Sequence, residues 1–218
     1  MPDGTLAGLV QAARKIIPIH CGLGAADPQA PPSGLWPGEV IQAVPARLAE
    51  FAAGRIAARA AMAELGHPPT AIPMGSDRAP IWPTGLSGSI SHSKTACLAA
   101  VTPLPYLIGI DLEPDEDLSP ELWPTILRPS EIANLPRHHA ARHAKQIFSA
   151  KEAAYKAQYA SSRQFIDFQA LEVSIQGRRF TATFCQSVPG FTIGAVLEGQ
   201  ISVGHGHILT AVICDLRK

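Results

Sequence analysis

Charge is scarce in this sequence. Asp, Glu, Lys and Arg make up 17% of its 218 residues, and 18 basic side chains offset 18 acidic ones, so the net charge is zero. Bulk electrostatic binding to nucleic acid or to an anionic membrane has no footprint in such a chain, although a local basic pocket stays open. Cysteine is sparse as well. Cys21, Cys97, Cys185 and Cys214 stand far apart and form no C-x-x-C pair. No apolar run approaches the roughly 18 residues of a membrane span. The opening MPDGTLAGLVQAARKII lacks a basic segment followed by an unbroken apolar core, so no export signal is read there. These absences predict a reducing, cytoplasmic compartment with the cysteines as buried thiols. No P-loop, G-x-G-x-x-G or G-x-S-x-G is present, which counts against ATPase, dehydrogenase and α/β-hydrolase chemistry.

What is present is an ordinary globular composition. Hydrophobic residues are 46%, and a chain of this length buries roughly 70% of its unfolded surface as one large domain or two small ones. Residues 28–37 are turn-rich and read as a loop. The run from Pro45 to Leu65 reads as a basic helix, with Pro near its start and Gly66 just past its end. Residues 67–88 are loop-like. Ala96–Val101 reads as a buried strand, and after a PLP turn Tyr106–Pro114 reads as a second. Residues 114–140 suggest short helices and loops, and a strong helix spans about Ala141–Tyr159. From about Leu171 the chain is β-rich: LEVSI, RFTATF, FTIGAVL and HILTAVICDL, separated by glycine-containing turns. SHSKTACLAAV in the first half faintly echoes GHGHILTAVIC in the second. That likeness suits either chance or two related halves with an active site at their seam.

Four constellations carry possible chemistry. In the strand Tyr106–Pro114, alternate residues share a face. Leu107, Gly109, Asp111 and Glu113 therefore point one way, with two carboxylates about 7 Å apart along the chain. Like charges so placed raise each other's pKa and call for compensation, for which a hard divalent cation is the natural partner. A strand end with solvated acids fits the same pattern. In FSAKEAAYKA, Phe148, Glu152, Tyr155 and Tyr159 fall on one side of a helix. An acid among aromatics is costly unless paired or metal-bound, and Lys156 lies at the favourable i,i+4 spacing. The alternatives are an ordinary surface ion pair or a third carboxylate for a Mg²⁺ site with Asp111 and Glu113. Gly88–Ser93, GSISHS, reads as a Ser/Gly turn at the mouth of a strand. It is suited to donating to phosphate through its hydroxyls and His92, or else is simply structural. Arg55 falls on the apolar side of the basic helix beside Phe51 and Leu48, as a snorkelling side chain or as a guanidinium held for phosphate. Arg47 and Arg59 share that helix, and Arg78 could add to the same positive pocket. His138, His139 and His143 read as a solvated surface, and GHGH at residues 204–207 as a turn.

In this order the pieces resemble the 4'-phosphopantetheinyl transferases. The likeness is to the larger, pseudo-dimeric surfactin-type branch and, within it, to the enterobactin-synthetase component D group. The matching text is EFAAGRIAARAAMAELG, RAPIWPTGLSGSISHS, IGIDLEP and FSAKEAAYKA, the last two being the family signature. The resemblance implies an α+β fold of two similar α/β halves with the active site at their seam. Residues 1–108 would be the coenzyme A side, and residues 109–218 would carry the DLE and FSAKEAAYK motifs. It implies Mg²⁺, with Mn²⁺ as a substitute, on Asp111, Glu113 and Glu152. Lys156 would contact the phosphates and assist proton transfer, with Glu152 as the catalytic base. Ser91 and His92 would hold the pyrophosphate or 3'-phosphate region of coenzyme A, and Arg55 would sit near the 3'-phosphate, with Arg47 and Arg78 beside it. The expected activity is transfer of 4'-phosphopantetheine from coenzyme A to a serine of an apo carrier protein, releasing 3',5'-adenosine bisphosphate. The expected enzyme is a cytoplasmic monomer serving siderophore or other secondary-metabolite synthesis, with no nucleic-acid or membrane partner. Two other functions fit the same residues: a non-catalytic module binding coenzyme A or carrier proteins, and a Mg²⁺-dependent phosphohydrolase.

Overall fold

The computed structural model describes residues 3–215 and 217. Its chain forms two compact units, Met1–Ile108 with Asp215–Lys218, and Gly109–Cys214. Both mix helix and antiparallel sheet, the α+β class the motifs imply.

The first unit contains α1 (Asp3–Arg14), β1 (Gly22–Ala26), α2 (Pro45–Glu64), β2 (Leu86–His92) and β3 (Cys97–Pro103). Its sheet has the order β1-β3-β2, antiparallel throughout. α2 starts where extended Val44 hands over to Pro45, whose missing N–H has no intrahelical partner to lose. It ends ahead of Gly66, which takes φ 75°. Small residues let it press onto the sheet. A Cβ at Gly24 would stand 2.1 Å from the Ala57 carbonyl oxygen, and one at Gly22 would stand 1.9 Å from that of Ala61. Ala53, Ala57, Ala61, Met62, Ile72, Leu86, Cys97 and Val101 build the core around this contact.

Residues 28–37 are irregular as read, and the segment before them supplies α1 and the edge strand β1. One expectation changes. The GSISHS segment is not a turn: Leu86–His92 is strand β2, paired residue for residue with β3 from Leu86↔Pro103 to His92↔Cys97. The turn is Ser93–Ala96, held by the Ser93 N–H to Ala96 carbonyl bond of 2.8 Å. Serines at alternate positions hid the strand, because Ser87, Ser89 and Ser91 occupy its buried face.

β4 (Tyr106–Pro114) crosses the boundary between the units. In the second unit follow α3 (Trp123–Ile126), α4 (Pro129–Ala133), α5 (Ala140–Ser162), β5 (Leu171–Gln176), β6 (Arg179–Phe184), β7 (Val196–Gly204) and β8 (His207–Asp215). The sheet order is β4-β8-β7-β6-β5. α5 runs three residues past the expected Tyr159. The third C-terminal strand is displaced: Phe191–Ala195 belongs to turns built on Gly190 and Gly194 at φ 88° and 83°, and β7 begins only at Val196. Of the expected last strand, Leu216 lies outside the described residues. The core joins Leu127, Ile147, Ala150, Ala154, Leu171, Phe180, Phe184, Ile208 and Val212. The faint internal echo falls on two hairpins, β2–β3 and β7–β8, whose second strands are each largely buried. Cys21 and Cys97 are buried, while Cys185 and Cys214 are only half-buried. Among the described residues no helix is long and apolar enough to cross a membrane.

Candidate active site

β4 delivers its carboxylates as strand alternation requires. Gly109, Asp111 and Glu113 share a face, and that face meets α5: a Cβ at Gly109 would stand 2.0 Å from the Ala153 carbonyl oxygen and 2.5 Å from the Ala157 nitrogen. Asp111 is buried at 3% exposure, and Glu113 is half-buried. From α5, Lys156 Nζ donates to Asp111 Oδ1 at 2.7 Å, and Glu152, one turn earlier, shares that side. Lys145 of α5 contacts Glu113 as an ion pair and lies 5.1 Å above the Phe148 ring.

The electrostatics couple these groups. Burial pushes the Glu152 carboxyl up from its ordinary value; Lys156 pulls it down, while Asp111 and Glu113 add to the rise. Glu113 is also pushed up, first by burial, with Lys145 opposing and Asp111 reinforcing. Burial works against the Lys156 ammonium, but Asp111, Glu152 and Glu113 outweigh it and hold its pKa above the usual lysine value. Three carboxylates with no sulfur or imidazole among them are the oxygen donors a hard divalent cation takes. As they stand, Lys156 and Lys145 engage Asp111 and Glu113. Among the described residues no group of three or more His, Cys, Asp or Glu side chains is arranged to hold a metal ion. The donor set fits such a cation in chemistry.

The basic residues lie in the first unit. Arg47 Nη1 is 2.9 Å from both Glu50 Oε2 and His92 Nε2, so the structure brings Arg47 and His92 together and adds Glu50, which no sequence signal had singled out. Ser91 is buried on the opposite face of β2 from His92, as neighbouring strand residues must be. Arg55 is buried. Its Nε donates to the Ile72 carbonyl at 3.0 Å, and its guanidinium lies 3.7 Å over the Phe51 ring. Its Nη2 is buried without a hydrogen-bond partner. Burial pulls its pKa down to about 10, against the attraction of Glu39. Arg59 instead forks onto both oxygens of Glu39 at 2.6 and 2.7 Å. Glu39 also accepts from the Ile72 N–H at 2.8 Å. Arg78 is exposed, with φ 67°, in the turn closed by its N–H to the Gly75 carbonyl. Among the described residues it forms no hydrogen bond or ion pair with Arg47, Arg55 or His92.

The comparisons with known proteins point the same way along the chain. Residues 37–102 match the 4'-phosphopantetheinyl transferase N-terminal domain, and residues 107–210 match the 4'-phosphopantetheinyl transferase superfamily. The chain is 36% identical to the 4'-phosphopantetheinyl transferase Svp of Streptomyces mobaraensis, over 85% of this chain and 80% of that protein. It is 32% identical to the 4'-phosphopantetheinyl transferase PptT of Mycobacterium tuberculosis, over 98% of this chain and 100% of that protein. It is also 43% identical to enterobactin synthase component D of Salmonella typhimurium, over 51% of this chain and 48% of that protein. The chain belongs to the 4'-phosphopantetheinyl transferase superfamily and is an enzyme of that class.

Proposed function

We propose that this enzyme transfers 4'-phosphopantetheine from coenzyme A to the serine hydroxyl of an apo carrier protein and releases 3',5'-adenosine bisphosphate. The observation that carries the reading is the junction of β4 and α5, where Asp111, Glu113, Glu152 and Lys156 form one electrostatically coupled group. Asp111, Glu113 and Glu152 would hold Mg²⁺, or Mn²⁺ in its place. When bound, that cation would neutralise pyrophosphate charge and polarise the phosphorus under attack. Lys156, with its raised pKa, stays a cation at neutral pH and can meet a phosphate oxygen. Glu152 is the candidate base: a half-buried carboxylate with a raised pKa takes a proton more readily than a solvated one. The serine oxygen–phosphorus bond forms, the bond from the same phosphorus to the adenosine bisphosphate oxygen breaks, and the serine proton passes to Glu152 directly or through water. Arg47, Arg55, Arg78, Ser91 and His92 are assigned to the coenzyme A phosphates, Arg55 through its buried Nη2 and Arg47 with His92 as a joined pair. The enzyme is proposed to act as a cytoplasmic monomer. Both family matches falling within one chain support a self-sufficient protomer. A siderophore or other secondary-metabolite carrier is the proposed acceptor, supported by the likeness to enterobactin synthase component D.

The test is intact-mass spectrometry of an apo carrier protein incubated with the full chain, coenzyme A and Mg²⁺. Gain of the phosphopantetheine arm on the carrier serine is expected. Free phosphate with an unmodified carrier would mean hydrolysis instead, and coenzyme A binding with no change of either substrate would mean a binding module.

A further inference from the structure

Lys151, the neighbour of Glu152, is among the largest fully buried side chains of the described residues, at 1% exposure. Its ammonium makes three contacts: Glu131 Oε2 at 2.7 Å, the Ile126 carbonyl at 2.9 Å and the Phe168 carbonyl at 2.9 Å. Glu131 is as fully used. Oε2 also accepts from the Arg128 N–H at 2.6 Å, and Oε1 accepts from the Val173 N–H at 2.6 Å. All the donors of the lysine are thus satisfied, and one node ties α5 to the end of α3, the start of α4, the turn before β5 and β5 itself.

The rest of the α5 interface explains why such a node is needed. Ala150, Ala153, Ala154 and Ala157 are each at most 1% exposed, and Gly109 lets the helix backbone rest on β4. Helices fix their rotation and axial position by interlocking ridges and grooves, and a face of methyl groups offers little to interlock. A slip of one residue rotates a helix by about 100°, which would swing Glu152 and Lys156 away from Asp111. Directional contacts can set what alanine cannot. Burying an ion pair seldom adds net stability over apolar residues of like shape, and fixing registry is its best-attested use. A second polar contact lies two residues away, where Ser149 and Thr210 pair at 2.9 Å and Thr210 donates to the Ser149 carbonyl at 2.8 Å.

We propose that the Lys151–Glu131 node is a register lock for α5 and that Lys151 is a positioning residue for Glu152 and Lys156. This rests on the assignment of Glu152 to the reaction. Lys151→Met alone leaves Glu131 charged and buried, so it should lower the melting temperature sharply. Lys151→Met/Glu131→Gln removes both charges and should recover much of that loss. Assayed as full chains with coenzyme A, Mg²⁺ and an apo carrier protein, the double variant should keep its KM for coenzyme A within about twofold. Its kcat should stay down by roughly 10–100-fold, the scale of a misplacement near 1 Å. Glu131→Gln alone, which keeps both carbonyl partners of Lys151, should show a smaller fall in kcat with the same unchanged KM. A double variant that melts and turns over like the wild type would overturn the lock. If the double variant does not fold, full turnover by Glu131→Gln would overturn it equally. Glu152→Gln is run alongside: an inactive Glu152→Gln beside a fully active double variant defeats the lock alone. A fully active Glu152→Gln defeats the assignment of Glu152 and the lock with it.

Discussion

α2 rests on β1 where Gly22 and Gly24 leave out a side chain, and α5 rests on β4 where Gly109 does the same. Both helices carry alanines on the contact face, and both bury long polar side chains beside it. They differ in what those side chains are. α2 buries Arg55 and Arg59, whose guanidinium groups hold the Ile72 carbonyl in one case and the Gly34 carbonyl with the Glu39 carboxylate in the other. α5 buries Lys151 against Glu131 and turns Glu152 and Lys156 toward two carboxylates. Close helix–strand contact through small residues is therefore a scaffold indifferent to charge. The charges gathered beside each contact differ: the cations of α2 suit an anion, whereas Asp111 and Glu113 of β4 meet Glu152 and Lys156 of α5 in a mixed group whose carboxylates suit a cation.

The largest effect that would sharpen this contrast is expected at Glu152. Glu152→Gln keeps the shape and removes the charge. Turnover should fall by roughly 10²–10⁴-fold, as for loss of a general base, while the variant folds and still binds coenzyme A. Asp111→Ala should likewise slow transfer and weaken Mg²⁺ binding, read by titration calorimetry. Near wild-type turnover at low Mg²⁺ in Asp111→Ala would break the division between the cationic helix α2 and the carboxylate junction of β4 with α5.

The shared scaffold is tested by Gly24→Ala and Gly109→Ala. Each new methyl meets helix backbone, at 2.1 Å from Ala57 O and 2.0 Å from Ala153 O, and backbone cannot rotate away. Each should destabilise by about 1–3 kcal/mol or more, visible as a lowered melting temperature. If one is tolerated and the other is not, the two helix–strand contacts are not equivalent.

Arg55→Ala comes next, with a smaller effect. If Arg55 serves the 3'-phosphate, the variant should raise KM for coenzyme A and narrow its advantage over dephospho-coenzyme A. If Arg55 only clamps the Ile72 carbonyl, melting temperature should fall and both donors should lose efficiency equally.

Much of this arrangement was legible in the sequence because the relevant signals are local. Pro45 and Gly66 bracket α2, the alternation in YLIGIDLEP places Asp111 and Glu113 on one face, and the i,i+4 spacing puts Glu152 and Lys156 on one side of α5. What was not legible depends on distant partners. Ser87, Ser89 and Ser91 alternate along β2 and are buried, and that segment is a strand because the distant β3 pairs with it from Leu86 to His92, so a serine-rich strand looked like a turn. Lys151 meets carbonyls 17 and 25 residues away, which no spacing rule encodes. Its position between Ile147 and Ala154 on the apolar stripe was the available sign that it is buried. Lys145 and Glu50 gave no comparable sign, since each is an ordinary charged residue on a helix until its partner arrives.

Acid should act on one helix and spare the other, and this is the smallest effect expected. The buried cations of α2 are arginines, and even Arg55, pulled down to about 10, stays charged between pH 5 and 8. α5 carries His143, whose pKa is lowered by burial, with a hydrogen bond to Gln146 opposing. Folded His143 therefore takes a proton at lower pH than the unfolded chain, whose histidine titrates near 6.5. Between the two values the unfolded state binds more protons, so the stability present above about pH 6.5 is lost as pH falls through the folded pKa. His143→Gln removes this dependence. At pH 7.5 the variant should melt within about 0.5 kcal/mol of the wild type, as for other partly exposed substitutions. Toward pH 5.5 it should gain on the wild type. Glu113 and Glu152, whose raised pKa values act in the opposite direction, are present in both proteins and drop out of the difference. Arg55→Ala, compared with the wild type over the same range, should give a difference that does not change with pH. A melting-temperature difference for His143→Gln that stays constant from pH 7.5 to 5.5 would show that acid does not distinguish α5 from α2.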